Sequence, residues 1–463
     1  MSDSSRMTAR DRIANLVDQG SFVETDKFVQ RSNAVFGYSD VSVPGEGVVA
    51  GWATIDERPV AIFAEDKDAL KGSMSAAHGE KIAKTMDMAA KNGLPVICIW
   101  DSEGARVQEG AAVLNAYAVI AKKMADISGV VPMISYAGGP MIGAASMFAA
   151  LSDFTVAVEK VSEIGVYGPM ILASSAEKPV DGEALIGAKV SEEAAANAQF
   201  SCATESEAFE TIKKLLFFLP SNNLEEAAYV ETEDPCDRPV AADAKDTAAF
   251  LANIVDDGDF FEVQSGYAPE IVTGFGCMNG FAVGIVANKA GEALKPNACK
   301  KAARFVRFLD AYDIPVITII DNAGVPVCLP CAQGSQVRDL TQMMFAYASS
   351  GSPMVSLITG RAIGEGYAAM ANKGNGADVV YAFPTAEISS VESEAGAMIL
   401  FGTKDKADEY KEKFASANIA AQQGIVDDII EPAETRAKLI GALDLAMGKR
   451  EQKLPKKHGV MPL

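Results

Sequence analysis

The chain has 463 residues, of which 22% are charged and 49% hydrophobic, enough apolar material for two packed domains of roughly 200 residues each. A formal net charge of −21 argues against nucleic acid as a partner, because a phosphate backbone requires a basic surface. The N-terminal residues, MSDSSRMTARDR, lack the apolar core of a signal peptide, so we expect a cytoplasmic protein with reduced cysteines.

Taken in chain order, the first half of the sequence is repeated by the second. Residues 13–24 (IANLVDQGSFVE) resemble residues 251–262 (LANIVDDGDFFE). Residues 47–66 and 271–290 each read as strand, turn and strand, and residues 81–107 align without gaps on residues 301–327. Residues 132–147 resemble the segment that begins at residue 353. Similar segments in the same order indicate an internal duplication.

Each half is predicted to contain the same elements. An amphipathic helix and a strand–turn–strand hairpin come first. A long helix follows, over residues 76–91 and 296–311, with apolar positions three to four residues apart. It leads into a short apolar strand, residues 95–100 and 315–320, of the kind that is buried on both faces. The alternation of helices and strands predicts an α/β fold with largely parallel strands.

An uncharged stretch at residues 130–151 is about as long as a bilayer span. Pro132, Gly138, Gly139, Pro140 and Gly143 interrupt it, so we expect a buried strand, a turn and a helix start instead of a membrane span. Further along, residues 219–240 end in an acidic, proline-containing run that is typical of a linker. We therefore expect domains at residues 1–225 and 240–463.

Side chains that commonly carry catalysis are scarce. The only histidines are His78 and His458, and no GxSxG elbow or histidine cluster occurs, which argues against a hydrolase triad and a metal site. Cys328 and Cys331 have CxxC spacing, but no second pair or neighbouring histidine accompanies them. We expect two thiols in a loop there; a redox or zinc role is the alternative.

What recurs in both halves is exposed main chain. Each core strand ends in a loop of small residues, SEGA at 102–105 and NAG at 322–324, and each second strand passes through glycine into a helix, at 143–145 and 364–366. Small residues let the backbone approach a ligand closely, and a helix start offers N–H groups. Two such groups would form an oxyanion hole. Tight strand–helix packing is the alternative explanation, and the duplication favours the functional one.

At these residues the chain resembles a known family. The matching strings are TARDRIANLVDQGSFVE, DSEGARVQEG, LPSNN, IVDDGDFFEVQSGYAPEIVTGF, KAARFVRFLDAYDIPV, AFPTAEI and LPKKHGVMPL. They resemble the carboxyltransferase subunits of biotin-dependent acyl-CoA carboxylases and decarboxylases: the propionyl-CoA and acetyl-CoA carboxylase beta subunits, the methylmalonyl-CoA decarboxylase alpha subunit and the transcarboxylase large subunit. The resemblance implies two tandem crotonase-like domains of the ClpP/crotonase class, related by internal duplication.

The resemblance also implies an activity. A carboxyl group would pass between carboxybiotin and a short-chain acyl-CoA, propionyl/methylmalonyl-CoA or acetyl/malonyl-CoA, through an enolate held in backbone oxyanion holes. The biotin nitrogen would take the α-proton, so the protein would need no side-chain base and no metal. The N-terminal domain would bind the acyl-CoA and the C-terminal domain the biotin. The implied N–H donors are Gly104, Ala105, Gly143 and Ala144 on the acyl-CoA side, and Ala323, Gly324, Glu365 and Gly366 on the biotin side.

Partners follow from what the sequence lacks. It has no Met-Lys-Met biotin-attachment string and no Gly-rich ATP-binding segment, so biotin is expected on a separate carrier protein, with a biotin carboxylase subunit as a further partner. The resemblance implies a homodimer or a homohexamer built as a trimer of dimers.

The chain also departs from the family pattern. Glu103, Glu365 and Glu392 replace small residues, and Ala368 stands at the position associated with acyl specificity. Two alternatives to carboxyl transfer therefore stay open. One is a decarboxylase subunit coupled to a membrane sodium pump, and the other is an inactive scaffold in a biotin-protein complex.

Overall fold

A computed structural model of the chain describes residues 6–30, 44–450 and 454–462. The chain forms two compact units that divide after Glu225. Within the described residues each unit contains one eight-stranded sheet with helices packed against it. The predicted α/β class is confirmed.

The first unit contains eight strands and eight α-helices in its described part. In chain order these are α1 Ala9–Leu16, β1 Val23–Thr25, β2 Val48–Ile55, β3 Arg58–Glu65, α2 Ala76–Asn92, β4 Val96–Ser102, α3 Ala111–Ile127, β5 Met133–Ile142, α4 Ser146–Leu151, β6 Phe154–Val158, β7 Glu163–Gly165, α5 Pro169–Ala176, α6 Gly182–Ile186, α7 Ala188–Glu193, β8 Phe200–Cys202 and α8 Glu205–Phe218.

The second unit repeats this order with one additional short helix between its fourth and fifth strands. Its elements are α9 Thr247–Ile254, β9 Phe261–Val263, β10 Ile271–Met278, β11 Phe281–Asn288, α10 Pro296–Ala311, β12 Val316–Asn322, α11 Leu329–Gln333, α12 Gln336–Ser349, β13 Met354–Ile363, α13 Gly364–Ala368, β14 Val379–Ala382, β15 Glu387–Ser389, α14 Ser393–Phe401, α15 Ala407–Tyr410, α16 Ala417–Gln422, β16 Asp428–Ile429 and α17 Thr435–Ala446.

The two sheets have the same topology. The first has the order β1-β2-β3-β4-β5-β6-β8, with β7 paired to β5, and the second has β9-β10-β11-β12-β13-β14-β16, with β15 paired to β13. The first three strands of each sheet are antiparallel, and the remaining pairs are parallel. Each parallel pair is joined through a helix, as parallel strands require.

The long helices begin and end where their sequences predict. Ser75 caps α2 by accepting from the backbone N–H of His78, and Gly93 ends the helix in a left-handed conformation. Proline at the first position of α10 suits a helix start, because that N–H has no intrahelical partner. Both predicted helices are confirmed, and α10 has the predicted bounds.

One predicted turn is wrong. Residues Gly138, Gly139 and Pro140 do not turn the chain; β5 continues through them to Ile142. The strand accommodates them because its pairing with β4 shifts register there, as described below. The helical part begins only at Gly143, whose φ of 74° is readily adopted by glycine.

A buried lysine fastens the long helix to the hairpin in each unit. Lys81 of α2 donates to the carbonyl oxygens of Val48 and Gly45, at 2.5 and 3.3 Å. Lys301 of α10 donates to those of Tyr267 and Ile271, both at 2.9 Å. Burial lowers the pKa of Lys81. The carbonyl oxygens offset the cost of burying each ammonium group, which explains why this pair recurs in the duplication.

The expectation for the CxxC pair is wrong. Cys328 and Cys331 are joined by a disulfide, and Leu329–Gln333 is a short helix instead of a loop. The other five cysteines are free thiols. Over the described ranges, no helix combines the length and the apolar character needed to cross a bilayer.

Candidate active site

The strand-end loops of the two units are built on the same irregularity. Strands β4 and β5 pair in regular register up to Trp100 and Ala137, and then Ser102 pairs with Met141. Strands β12 and β13 do the same: Ile320 pairs with Ile358, and then Asn322 with Ala362. Such a bulge bends a strand and redirects its residues, and bulges are common beside active sites. Both candidate loops therefore start from an equivalent bend.

A glycine faces an aspartate inside each bulge. A Cβ atom on Gly139 would overlap the carboxylate of Asp101, and a Cβ on Gly360 would overlap that of Asp321. Each aspartate directly follows one of the two predicted apolar strands, and both lie in the segments that align without gaps. The glycines are needed for close approach of the side chain to the neighbouring strand, not for a turn.

The two aspartates are held by different partners. Asp321 accepts from the backbone N–H of Arg361 at 2.8 Å. The corresponding residue of the first unit, Pro140, has no N–H, and Asp101 instead binds Arg12 at 2.7 Å and lies 3.6 Å from Arg6. Burial raises the pKa of Asp101, and the two guanidinium groups oppose this rise.

The backbone of both loops is tied to the preceding segment in the same way. The N–H of Met74 donates to the carbonyl oxygen of Gly104, and the N–H of Leu294 donates to that of Gly324, both at 2.9 Å. The N–H of Glu103 donates to the backbone carbonyl oxygen of Lys71, and the N–H of Ala323 donates to that of Glu292, both at 3.2 Å. The two loops are therefore equivalent: Glu103 corresponds to Ala323, and Gly104 corresponds to Gly324.

Three of the eight implied donors already have acceptors within the chain. The N–H of Ala323 holds Glu292, as just described. The N–H of Gly104 donates to the hydroxyl of Ser102 at 3.2 Å, and the N–H of Gly324 donates to the side-chain oxygen of Asn322 at 3.0 Å. A ligand oxygen would have to displace these two side chains. Ser102 and Asn322 were not anticipated from the sequence, although their side chains two residues before glycine are typical of such turns.

The helix starts face these loops. Gly143 and Ala144 begin a 3₁₀ turn that leads into α4, and Glu365 and Gly366 lie in the first turn of α13. A Cβ on Gly366 would come within 2.9 Å of the Gly324 Cα, so in the second unit the loop and the helix start are in direct contact. In the first unit, a Cβ on Gly104 would lie 3.7 Å from the carbonyl oxygen of Ile142, the residue before Gly143. Loop and helix start are therefore adjacent in each unit, and the roles of Gly104, Ala105, Gly143, Ala144, Ala323, Gly324, Glu365 and Gly366 as donors stay predictions.

The glutamates that depart from the family pattern do not lie in the interior. Glu103 is exposed and forms an ion pair with Lys71 at 2.8 Å. Glu392 is exposed and lies 3.5 Å from Arg361. Glu365 is exposed on α13, as is Ala368 at the end of that helix. The three glutamate carboxylates are in contact with solvent, which screens their charge and weakens its effect on a ligand bound at the backbone.

A cavity borders the strand-end aspartate in each unit. The first, of about 640 Å³, contains Asp101 and Pro140 in its lining together with the cations Arg6, Lys67 and Lys71. The second, of about 820 Å³, contains Asp321 and the cations Lys245, Arg361 and Lys411. Both volumes are in the range of small-molecule sites. Carboxylates line both cavities as well, Asp11, Asp68, Asp101 and Glu103 in the first and Asp243, Asp321 and Glu387 in the second, so neither lining is positively charged overall.

A buried polar chain behind the first loop was also missed by sequence reasoning. Glu65, fully buried at the end of β3, accepts from the backbone N–H of Asp101 at 2.9 Å and lies 3.0 Å from Nε2 of His78. In the second unit Asn288 accepts from the N–H of Asp321 at 3.2 Å. Glutamate at the end of an apolar strand is the only sequence signal for this arrangement.

Comparison with known proteins gives a family for this architecture. A family model described as carboxyl transferase domain matches residues 2–461. The chain is 39% identical to the methylmalonyl-CoA decarboxylase subunit alpha of Veillonella parvula, across 99% of this chain and 93% of the relative. It is 38% identical to the propionyl-CoA carboxylase beta chain of Saccharopolyspora erythraea, across 99% and 91%.

The fold is also similar to a solved structure. The crystal structure of transcarboxylase 12S, described as a hexamer assembly with hydrolysed methylmalonyl-coenzyme A bound, superposes with a TM-score of 0.94 at 36% identity. The match covers 99% of this chain and 93% of the transcarboxylase chain. It confirms the predicted fold of two tandem crotonase-like domains.

Proposed function

The chain belongs to the carboxyl transferase domain family, and on that basis we propose that it is a biotin-dependent acyl-CoA carboxyltransferase. The observation that carries this function is the full-length similarity to methylmalonyl-CoA decarboxylase and propionyl-CoA carboxylase subunits, combined with a duplicated strand-end loop. The two units divide the reaction, the first taking the acyl-CoA and the second the biotin.

In the first unit, main-chain N–H groups would hold the thioester oxygen. Loss of the α-proton or of the carboxyl group leaves negative charge on that oxygen, and N–H groups fixed by the fold stabilise it without reorganisation. Ala105 and the helix-start residues Gly143 and Ala144 are proposed donors, and Gly104 joins them once the ligand displaces the Ser102 hydroxyl. In the adjoining cavity, Lys67 and the ion-paired Arg6 and Lys71 are proposed contacts for the phosphates of the coenzyme.

In the second unit, the donors would face the ureido oxygen of biotin. Biotin supplies a carboxyl group that can be given up or taken back, and the protein binds and orients it. Because Gly366 and Gly324 are in contact, no side chain lies between the loop and the helix. Main-chain N–H groups can therefore approach the ureido oxygen closely. Gly324, Glu365 and Gly366 are the proposed donors, and Ala323 is the weakest of the set because its N–H is used by Glu292. Ala368, exposed at the end of α13, stays a proposed specificity position.

The proposed reaction brings acyl-CoA and biotin together, and a second copy of the chain is the expected partner. Helix α5 has no buried residue, and Met170 and Ile171 on it are 85% and 57% exposed. On α14, Ile399 and Leu400 are also exposed. Apolar helices exposed in both units suit burial against another subunit, and transcarboxylase 12S is a hexamer. A homodimer or homohexamer, with the biotin carrier protein as a further partner, is proposed.

Decarboxylation with free biotin tests the activity. Purified protein is incubated with malonyl-CoA or methylmalonyl-CoA and biotin, and loss of the carboxylated thioester is followed by chromatography. We expect turnover that depends on biotin for at least one of the two substrates. An absence of turnover with every acyl-CoA would favour the scaffold alternative. A biotin-containing carrier protein replaces free biotin in a second arm, where tighter binding gives faster turnover.

The direction of transfer is a separate question. Similarity to the Veillonella parvula decarboxylase subunit favours the decarboxylase role as the second candidate. Reconstitution distinguishes the two: a carboxylase requires a biotin carboxylase and ATP to carboxylate the acyl-CoA, whereas a decarboxylase subunit loads the carrier from methylmalonyl-CoA without ATP. Coupling to a membrane sodium pump would appear only in the second arrangement.

A further inference from the structure

His78 is the one buried histidine in the described part of the chain, and both of its ring nitrogens have partners. It lies in the first turn of α2 with no exposed surface. Nδ1 is 3.1 Å from the carbonyl oxygen of Glu46, and Nε2 is 3.0 Å from Oε1 of Glu65. A carbonyl oxygen only accepts, so Nδ1 carries a proton. The contact with Glu65 holds one further proton, shared between imidazole and carboxylate.

The partners of His78 lead to the two ends of the same loop. Glu65 accepts from the backbone N–H of Asp101, where the loop begins. The carboxylate of Glu46 accepts from the guanidinium of Arg106, where the loop ends, at 3.2 Å. Arg106, almost fully buried, also donates to the carbonyl oxygen of Ser73. A continuous buried chain therefore runs from the entry of the loop through His78 to its exit.

The turn that carries Glu46 is held in an uncommon conformation. Gly45, Glu46 and Gly47 all have positive φ, at 65°, 57° and 75°. Two of the three are glycines, but Glu46 adopts this conformation at a cost that its contacts must offset. Its carbonyl oxygen binds His78, and its carboxylate binds Ser75 and Arg106. The turn is thus kept in place largely by the residues it connects to the loop.

The second unit lacks this connection. Helices α2 and α10 begin at equivalent positions, which pairs His78 with Ala298. Asn288 replaces Glu65 as the acceptor for the aspartate N–H, and its Nδ2 is buried without a partner. The loop of the second unit ends in Pro326 instead of an arginine. The histidine chain is therefore a property of the acyl-CoA side alone, not a requirement of the duplicated fold.

We propose that His78 is a positioning residue that couples the entry and the exit of the loop at residues 101–106, and so fixes the N–H donors of the acyl-CoA side. The inference rests on the proposed carboxyltransferase function. Donors that are already in place stabilise the charge that develops on the thioester oxygen. Loss of the connection would displace these donors, which weakens binding of the transition state more than binding of the substrate. The effect therefore belongs in kcat and not in KM.

Three variants separate this role from a structural one. In Glu65→Gln, the amide oxygen still accepts from Asp101 and the amide N–H donates to a neutral His78, so the chain stays intact. In the double variant Glu65→Gln with His78→Ala, the entry is still held as in the second unit, no buried charge is left unpaired, and the connection to Glu46 is lost. Thr85→Val removes a buried hydrogen bond to the carbonyl oxygen of Lys81 within α2, at a residue that contacts neither the loop nor His78, as the matched control.

The experiment measures kcat and KM for methylmalonyl-CoA or malonyl-CoA decarboxylation with free biotin, beside circular dichroism and thermal unfolding. We expect Glu65→Gln and Thr85→Val to keep kcat within about threefold of the parent, and the double variant to lose about tenfold or more in kcat with KM little changed. Equal kcat in the double variant and the parent would overturn the inference. So would a loss confined to KM, a loss already complete in Glu65→Gln, or a double variant that does not fold. A parent protein without turnover would overturn the proposed function and this inference together.

Discussion

At the scale of single residues, the backbone of the site depends on glycines that admit a neighbour. Gly139 and Gly360 lie against the carboxylates of Asp101 and Asp321, inside bulges at equivalent places. Their φ values are not in the left-handed region, so conformational freedom does not explain them. What matters is the missing side chain, because any Cβ would push the aspartate away from the strand that it holds.

Gly360→Ala is expected to destabilise the second unit by about 1–3 kcal/mol, since the new methyl group overlaps the Asp321 carboxylate within a packed sheet. Chemical denaturation measures the loss. Gly441→Ala is the matched control: no atom lies near a Cβ at that position in α17, so alanine is expected to stabilise the helix by about 0.5–1 kcal/mol. Equal effects of the two substitutions would contradict this account of Gly360.

The exposed glutamates near the loops are expected to be tolerated. Glu103 is paired with Lys71 at the surface, and Glu365 points its charge where water screens it. Glu103→Gln and Glu365→Gln should therefore change kcat by less than about threefold in the biotin-dependent decarboxylation assay. A rise of tenfold or more in either variant would indicate that these charges suppress the reaction, which is what the scaffold alternative requires.

At the scale of elements, one arginine of the last helix fastens the beginning of the second unit. Arg436 of α17 is fully buried and donates to the carbonyl oxygens of Ile254 and Pro235 and to the carboxylate of Asp256, at 2.8, 3.0 and 2.5 Å. Asp256 in turn accepts from the backbone N–H groups of Asn279 and Gly280 in the turn between β10 and β11. Three separate segments thus meet at one guanidinium group.

Arg436→Met is expected to destabilise the second unit by about 3–5 kcal/mol, because Asp256 is left buried without its cation and two carbonyl oxygens lose a donor. Urea denaturation, followed by far-ultraviolet circular dichroism, measures this change. Arg307→Met, which removes only an exposed hydrogen bond to Ser349, should cost less than about 0.5 kcal/mol. A small effect at Arg436 would mean that the helix is held by its apolar contacts alone.

The same region is expected to respond to acid. Hydrogen bonds from Arg238, at 2.7 Å and 2.9 Å, hold the pKa of Asp234 below its ordinary value. A carboxyl group with a lowered pKa in the folded state stabilises the protein above its unfolded pKa of about 3.9 and loses that contribution as the pH falls through the folded value. The melting temperature of Asp234→Asn should therefore lie below that of the parent at pH 7, and the difference should shrink as the pH falls below about 3.9. Glu233→Gln, at a neighbouring exposed position, should show no such convergence.

At the scale of the whole molecule, assembly is expected to depend on the apolar helices α5 and α14. The double variant Met170→Glu with Ile399→Glu adds charge to both exposed faces and should convert an oligomer into a monomer with little biotin-dependent turnover. Light scattering after size-exclusion chromatography measures the mass. Leu224→Glu, at a residue that is 91% exposed outside both helices, is the control and should leave the assembly intact. An active monomer would contradict the proposed division of labour.

The α/β class, the duplication, both long helices and the family could be predicted from the sequence, because they depend on periodicity and on strings that extend along the chain. The sequence also located the small-residue loops at 102–105 and 322–324. Their function as a site rests on the position of backbone N–H groups, and the sequence could not reveal that Ser102 and Asn322 already accept from Gly104 and Gly324.

Most of the remaining features became visible only in the folded chain, because they depend on contacts between residues far apart in the sequence. The predicted turn at Gly138–Pro140 became a bulge because Asp101, from another strand, occupies the space beside Gly139. The chain through Glu65, His78 and Glu46 was equally invisible. The disulfide joins near neighbours, Cys328 and Cys331, and their spacing alone did not distinguish it from two thiols. Hydrogen bonding of buried charges is set by distance in space, and sequence spacing carries little information about it.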